Sequence, residues 1–215
     1  MAEADSSAGA DGTSGADGVW DASRCAGTPH CPPRCPRFVS EDGRALVVRL
    51  YDEADRDALG EMYRDYDPDA RSMGLPPADE AHIAAWLSTL VERGRNFVAV
   101  ADAGIVGHAA YVASDDPEPE LAVFVHQDSH DRGIGTELCR HALADAAEAE
   151  REALVLHVAP ENQRAVHVYR VLGFEEVPTS SADTKMRLDL GSPVPPAARP
   201  TTDAGGDYEP TRRGR

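Results

Sequence analysis

At 215 residues and 41% hydrophobic content, the chain is long enough for one domain with a buried core plus tails. Its 38 acidic against 21 basic residues give a net charge of −17, which disfavours non-specific binding to nucleic acid or to an anionic membrane surface. No apolar run reaches bilayer-spanning length, and the start Met1-Ala-Glu-Ala-Asp-Ser6 lacks the basic and apolar parts of a signal peptide, so no membrane role and a cytoplasmic location are expected.

The acids are dispersed, and Lys185 is the only lysine. Dispersed carboxylates keep a surface hydrated where salt screens charge, so the composition resembles that of proteins from salt-loving microbes; an ordinary acidic cytoplasmic protein is the alternative.

Residues 1–43 are rich in Gly, Ala, Ser, Asp and Pro without a sustained apolar period, and are read as a disordered tail. Within them Cys25, His30, Cys31 and Cys35 could supply four zinc ligands, but their spacing fits paired Cys-x₂₋₄-Cys elements poorly, and no metal site is assigned. Structure is expected from Ala45-Leu-Val-Val-Arg-Leu-Tyr51, a strand. Asp52 or Asp55 then caps a helix carrying Ala58, Leu59, Met62, Tyr63 and Tyr66 up to Pro68. The breakers Ser72 to Pro77 precede a second helix, Asp79 to Arg93, with Ile83, Trp86, Leu87 and Leu90 on one face and Gly94 at its end.

Asn96–Ala101 and Ile105–Val112, joined by Asp102-Ala-Gly104, read as a hairpin, and Leu121–Val125 as the next strand. A helix follows over Ile134–Ala149 with Ile134, Leu138, Ala142 and Ala146 facing inward, then a strand over Leu154–Val158. Pro160–Leu172 reads as a helix capped by Gly173, and Phe174–Val177 with Lys185–Leu190 as a closing strand pair. The folded unit is therefore expected over 44–190, with a second disordered tail over 191–215.

The informative stretch is His130-Asp-Arg-Gly-Ile-Gly135, a polar turn between a strand and a helix. Backbone N–H groups at such a helix start can hold a phosphate against the positive end of the helix dipole. Without Gly-Lys-Ser/Thr this is no P-loop, and Leu138 stands where a dinucleotide fingerprint wants a third small residue.

His130-x-x-Gly133-x-Gly135 resembles the Gln/Arg-x-x-Gly-x-Gly/Ala signature of the GCN5-related N-acetyltransferase (GNAT) superfamily, with His130 in place of Gln or Arg. Asn162-x-x-Ala165-x-x-x-Tyr169-x-x-x-Gly173-Phe174 resembles its second block. The resemblance implies a single α/β (α+β) domain, a mixed, V-splayed sheet flanked by helices, using acetyl-CoA as co-substrate. It implies pantetheine pairing along the strand at Val125, His130, Arg132, Gly133, Ile134, Gly135 and Thr136 around the pyrophosphate, Asn162 at the pantetheine arm, and Tyr169 as proton donor to the departing thiolate.

For the base that takes a proton from the acceptor amine, Glu120 is the first candidate, with His108 and His126 as alternatives. His157 and His167 read as structural or surface groups, and Cys139 as a buried thiol. The implied activity is direct transfer of acetyl to a primary amine of a small molecule, peptide or protein. The alternative is a non-catalytic module that senses acetyl-CoA or binds a protein. The acceptor and the oligomeric state, a homodimer included, stay open.

Overall fold

Runs of β-branched and apolar residues build the sheet, and polar caps start the helices that cover it. In the computed structural model, residues 34–68, 71, 75–112 and 117–191 are described. Strands β1 (Arg37–Val39), β2 (Ala45–Leu50), β3 (Gly94–Ala101), β4 (Gly104–Val112) and β5 (Leu121–Val125) form an antiparallel sheet in that order. Strands β6 (Ala153–Val158), β7 (Glu175–Val177) and β8 (Thr184–Asp189) form a second one, in the order β6-β8-β7.

The two sheets touch where β5 begins, through a parallel bridge between Glu120 and Val155 and a bond from the Val155 N–H to the Pro119 carbonyl (3.2 Å). Beyond it β5 and β6 pair no further, so the sheet is mixed and splayed into a fork, as expected.

Helices α1 (Arg56–Arg64) and α2 (Glu80–Arg93) lie on one face, α3 (Ile134–Glu148) and α4 (Gln163–Leu172) on the other. Strand alternation divides the core accordingly. Val123 and Val125 of β5 and Leu154, Leu156 and Val158 of β6 pack with α3 and α4. Phe124 faces α1 and α2, in edge contact with Tyr63 and Trp86. Leu138, Leu154 and Leu156 are almost fully buried, each contributing roughly 1.5–3 kcal/mol of hydrophobic stabilisation.

The caps follow the sequence closely. Asp52 and Asp55 form a capping box over a short 3-10 turn that leads into α1, and Asp79 accepts from the His82 N–H at the start of α2. Two local expectations change. The fold reaches into the stretch 1–43, because β1 pairs with β2 and the Arg34 guanidinium makes a bidentate pair with Glu137 of α3 (2.5 and 2.7 Å); this arm has no apolar period to betray it.

Helix α1 stops at Arg64 rather than near Pro68, which frees Tyr66 from the helical stripe. Gly94 ends α2 as expected, with extended backbone, and a Cβ there would stand 2.8 Å from the Leu90 carbonyl oxygen and 2.9 Å from that of Tyr111. Close approach, not positive φ, requires this glycine.

Cys25, His30, Cys31 and most of the residues read as tails lie outside the described residues, while Cys35 is an exposed free thiol. Among the described residues no helix is long and apolar enough to cross a membrane.

Candidate active site

A cleft of about 720 Å³ opens between β5, the glycine turn, α3 and α4. It is lined by Val125, His130, Arg132, Gly133, Ile134, Gly135, Thr136, Asn162 and Tyr169, so the structure brings together every residue expected around the donor.

The turn is shaped by its glycines. Gly133, just before α3, has φ of 76°, a left-handed conformation that costs a side-chain-bearing residue about 1–2 kcal/mol. The first N–H groups of α3 lack partners within the helix, and the cleft wall they share can receive an anion. A Cβ on Gly135 would meet the Val125 side chain at 3.5 Å, so that glycine leaves a gap beside the strand rather than avoiding a clash.

The free edge of β5 forms the next wall. The His126 N–H donates to Val106 and the Val112 N–H to Glu120, so the even-numbered residues of β5 exchange bonds with β4. The N–H and C=O groups of Val123 and Val125 therefore point into the fork. Both groups of Val125 have partners. Its carbonyl accepts from Nε2 of His130 (2.9 Å), and its N–H faces the hydroxyl of Tyr66. His130 thus closes the turn onto the strand with one ring nitrogen, a role distinct from phosphate binding.

Asn162 caps α4, its Oδ1 accepting from the Ala165 N–H (3.1 Å), which leaves the amide nitrogen to offer to a ligand. Arg132 is held by Asp42 of the arm (3.1 Å), and Glu41 also lines the cleft, its carboxylate 3.3 Å from where a Gly133 Cβ would stand.

Tyr169 is buried on α4 with its ring edge against Phe174 (5.8 Å). Burial raises its hydroxyl well above the usual phenol range, so it holds its proton at neutral pH. Cys139 lines the same cleft, but burial pushes its thiol up to about 12, which leaves almost no thiolate.

The expected bases fare differently. Glu120 is exposed at the fork, does not line this cleft, and its carboxylate has no partner among the described residues. His108 is completely buried: its Nδ1 accepts from the Tyr63 hydroxyl (2.7 Å) and its Nε2 donates to Asn96 Oδ1 (3.0 Å). Asn96 in turn donates to the carbonyls of Leu90 and Gly94, so His108 belongs to a buried chain that ties α1 to the end of α2. Burial lowers its pKa to about 3, and it serves no acceptor as a base. His126 has its ring between Asp65 (3.2 Å), Gln127 (2.9 Å) and the Asp128 N–H (3.4 Å). It faces a separate cavity of about 460 Å³ beside α1.

Sequence reasoning missed Tyr66, Glu41 and Asp42. Tyr66 continues the helical spacing of Leu59, Met62 and Tyr63, so nothing in the pattern separates it from core. The two acids stand in a polar stretch whose position depends on the pairing of β1.

Comparison with known proteins gives one family. The model of the Acetyltransferase (GNAT) family matches residues 57–174. No curated protein matches the chain. Among solved structures, the GNAT domain of S. lividans PAT is similar, with 18% identity and a TM-score of 0.63, over 71% of this chain and 95% of that one. So is yncA from Salmonella typhimurium, solved with acetyl-CoA, with 20% identity and a TM-score of 0.56, over 67% and 94%. A phosphinothricin acetyltransferase from Sinorhizobium meliloti, also in complex with acetyl-CoA, has 18% identity and a TM-score of 0.56, over 73% and 97%.

Proposed function

Because the chain belongs to the acetyltransferase (GNAT) family, we propose that it moves an acetyl group from acetyl-CoA directly to a primary amine of a small molecule, peptide or protein. The observation that carries this reading is the convergence, in one cleft, of the glycine turn, the free backbone edge of β5 and the Tyr169 phenol.

Each has a part in the chemistry. The N–H groups at the start of α3, with Arg132 beside them, hold the pyrophosphate through charge-assisted hydrogen bonds. The groups of Val123 and Val125 that point into the fork bind the pantetheine amides as an added strand would. At Val125 this means exchanging the Tyr66 hydroxyl for a ligand group, and the Asn162 amide contributes from α4.

Tyr169 supplies a proton to the sulfur as the C–S bond breaks, and its raised pKa keeps that proton in place until negative charge develops beside it. No covalent acetyl-enzyme is needed, in keeping with the inert Cys139.

The acceptor approaches from the α1 and α2 face, whose carboxylates, Glu61 and Asp65 among them, suit a cation such as a polyamine, a lysine side chain or a protein N-terminus. The test is free-thiol release from acetyl-CoA over a panel of these amines, with mass spectrometry of the product. Acetylated amine in proportion to released thiol is the expected result. Binding of acetyl-CoA without turnover of any amine would leave a non-catalytic binding module instead.

A further inference from the structure

The bases considered from sequence leave the amine without a positioned proton acceptor: His108 is sealed, both ring nitrogens of His126 are engaged by Asp65, Gln127 and the Asp128 N–H, and Glu120 is exposed and unsupported. One imidazole on the fork itself has the missing arrangement. His157 lies on β6, two residues past Val155, whose bridge to Glu120 is where β5 and β6 last touch. Its neighbours Leu156 and Val158 pack with α3 and α4, so by strand alternation His157 faces the opposite side, where α1 and α2 cover the first sheet.

The ring is oriented. Asp183, in the connection between β7 and β8, bonds the Nδ1 of His157, and Ser181 donates to the same carboxylate. That bond holds the Asp183 carboxyl below its ordinary range, and the carboxylate fixes the tautomer with the proton on Nδ1. Nε2 then carries the lone pair, and it has no partner among the described residues. The ring is about a third exposed, at 30%.

From the geometry we infer that His157 is the general base of the transfer, with Asp183 as its positioning residue. The inference rests on the N-acetyltransferase reading. It also sets the two proton-handling groups on opposite faces of the fork, Tyr169 on the side of α3 and α4 and His157 on the other.

The ammonium of the acceptor gives one proton to Nε2 of His157, which passes it to water. The neutral nitrogen then forms the C–N bond with the carbonyl carbon. As the C–S bond breaks, its electrons go to sulfur, and the Tyr169 O–H protonates the thiolate. The second proton released by the new amide nitrogen returns through water to Tyr169. The products are the amide, free CoA and one proton.

Other charges share this face. Lys185 of β8 pairs with His157 in register, Glu120 stands across the fork, and Arg187 of β8, opposite Val155, is paired with Glu118 (2.9 Å). The acid limb of the rate profile must therefore be assigned by substitution rather than by its position.

The experiment measures kcat/KM against pH with spermidine, a lysine peptide and an alanine-initiated peptide, for the native chain, His157→Gln, His157→Ala and Asp183→Asn, with acetyl-CoA affinity and thermal unfolding as checks on each. His157→Gln should lower the plateau by about 100- to 1,000-fold and abolish the acid limb while acetyl-CoA affinity stays within about twofold. Added imidazole should restore part of the rate to His157→Ala. Asp183→Asn, which keeps the ring, should lose kcat with little change in KM, and it carries the test if the His157 variants fail to fold. A folded His157→Gln protein that keeps both rate and acid limb overturns the base assignment alone. If the native chain binds acetyl-CoA but acetylates none of the three amines, the transferase reading fails, and the base with it.

Discussion

The two faces of the fork are built by different means. On the α3 and α4 side most of the cleft-lining groups come from two contiguous stretches, 130–136 and 162–169, whose local geometry is set by a left-handed glycine and an asparagine cap. On the α1 and α2 side every group of interest is assembled across the chain: Tyr63 reaches His108 over 45 residues, Tyr66 reaches Val125 from another element, and His157 is oriented by Asp183 26 residues on. A phosphate needs a row of backbone donors, which a single turn provides. An acceptor amine needs separate side chains converging in space, which only the tertiary fold provides.

Replacing residues on each face sharpens the contrast. The largest effect is expected from Tyr169→Phe, which should lower the rate at saturating acetyl-CoA by about 100- to 10,000-fold and leave affinity for acetyl-CoA nearly unchanged. An unchanged rate would remove the donor face from the chemistry. Next comes the pH dependence of stability. His108 and His141 are buried neutral, with pKa values lowered by burial to about 3 and about 4.

Below an unfolded value of roughly 6.5 the unfolded chain binds protons that the native one refuses, so these groups cost nothing above that pH. Their penalty grows as pH falls from there towards about 4 for His141 and about 3 for His108. Urea unfolding across this range should show declining stability. A flat profile between pH 6.5 and 5 would mean that the buried chain behind the acceptor face is open to water.

Smaller effects test the supports. Gly94→Ala forces a methyl group against two carbonyl oxygens and should cost about 1–3 kcal/mol by thermal unfolding. Asp42→Asn frees Arg132 from its ion pair, and acetyl-CoA should bind about two- to fivefold more tightly, the scale of a partly exposed salt bridge. Weaker binding would mean that Asp42 orients Arg132 for the ligand rather than competing with it.

This difference in construction explains what the sequence made legible. Strand order, caps and the residues that share the cleft wall could be read because each depends on spacing within a few residues, as in the Asp52–Asp55 box or the Gly133 turn. The arm could not be read, since Arg37–Val39 becomes a strand only by pairing with β2, and Arg34 meets Glu137 103 residues away. His108 looked like a base because a histidine on a strand carries no mark of burial; the Tyr63 and Asn96 bonds that neutralise it come from other elements.

Addition of acetyl-CoA to the isotopically labelled full chain, followed by backbone amide NMR, tests the division of the fork most directly. The account predicts the largest shifts at Val123, Val125, Ile134, Gly135 and Thr136, along the free edge of β5 and the start of α3. Unmoved signals there, with the largest changes instead around Glu61, Asp65 and His126 beside α1, would contradict it.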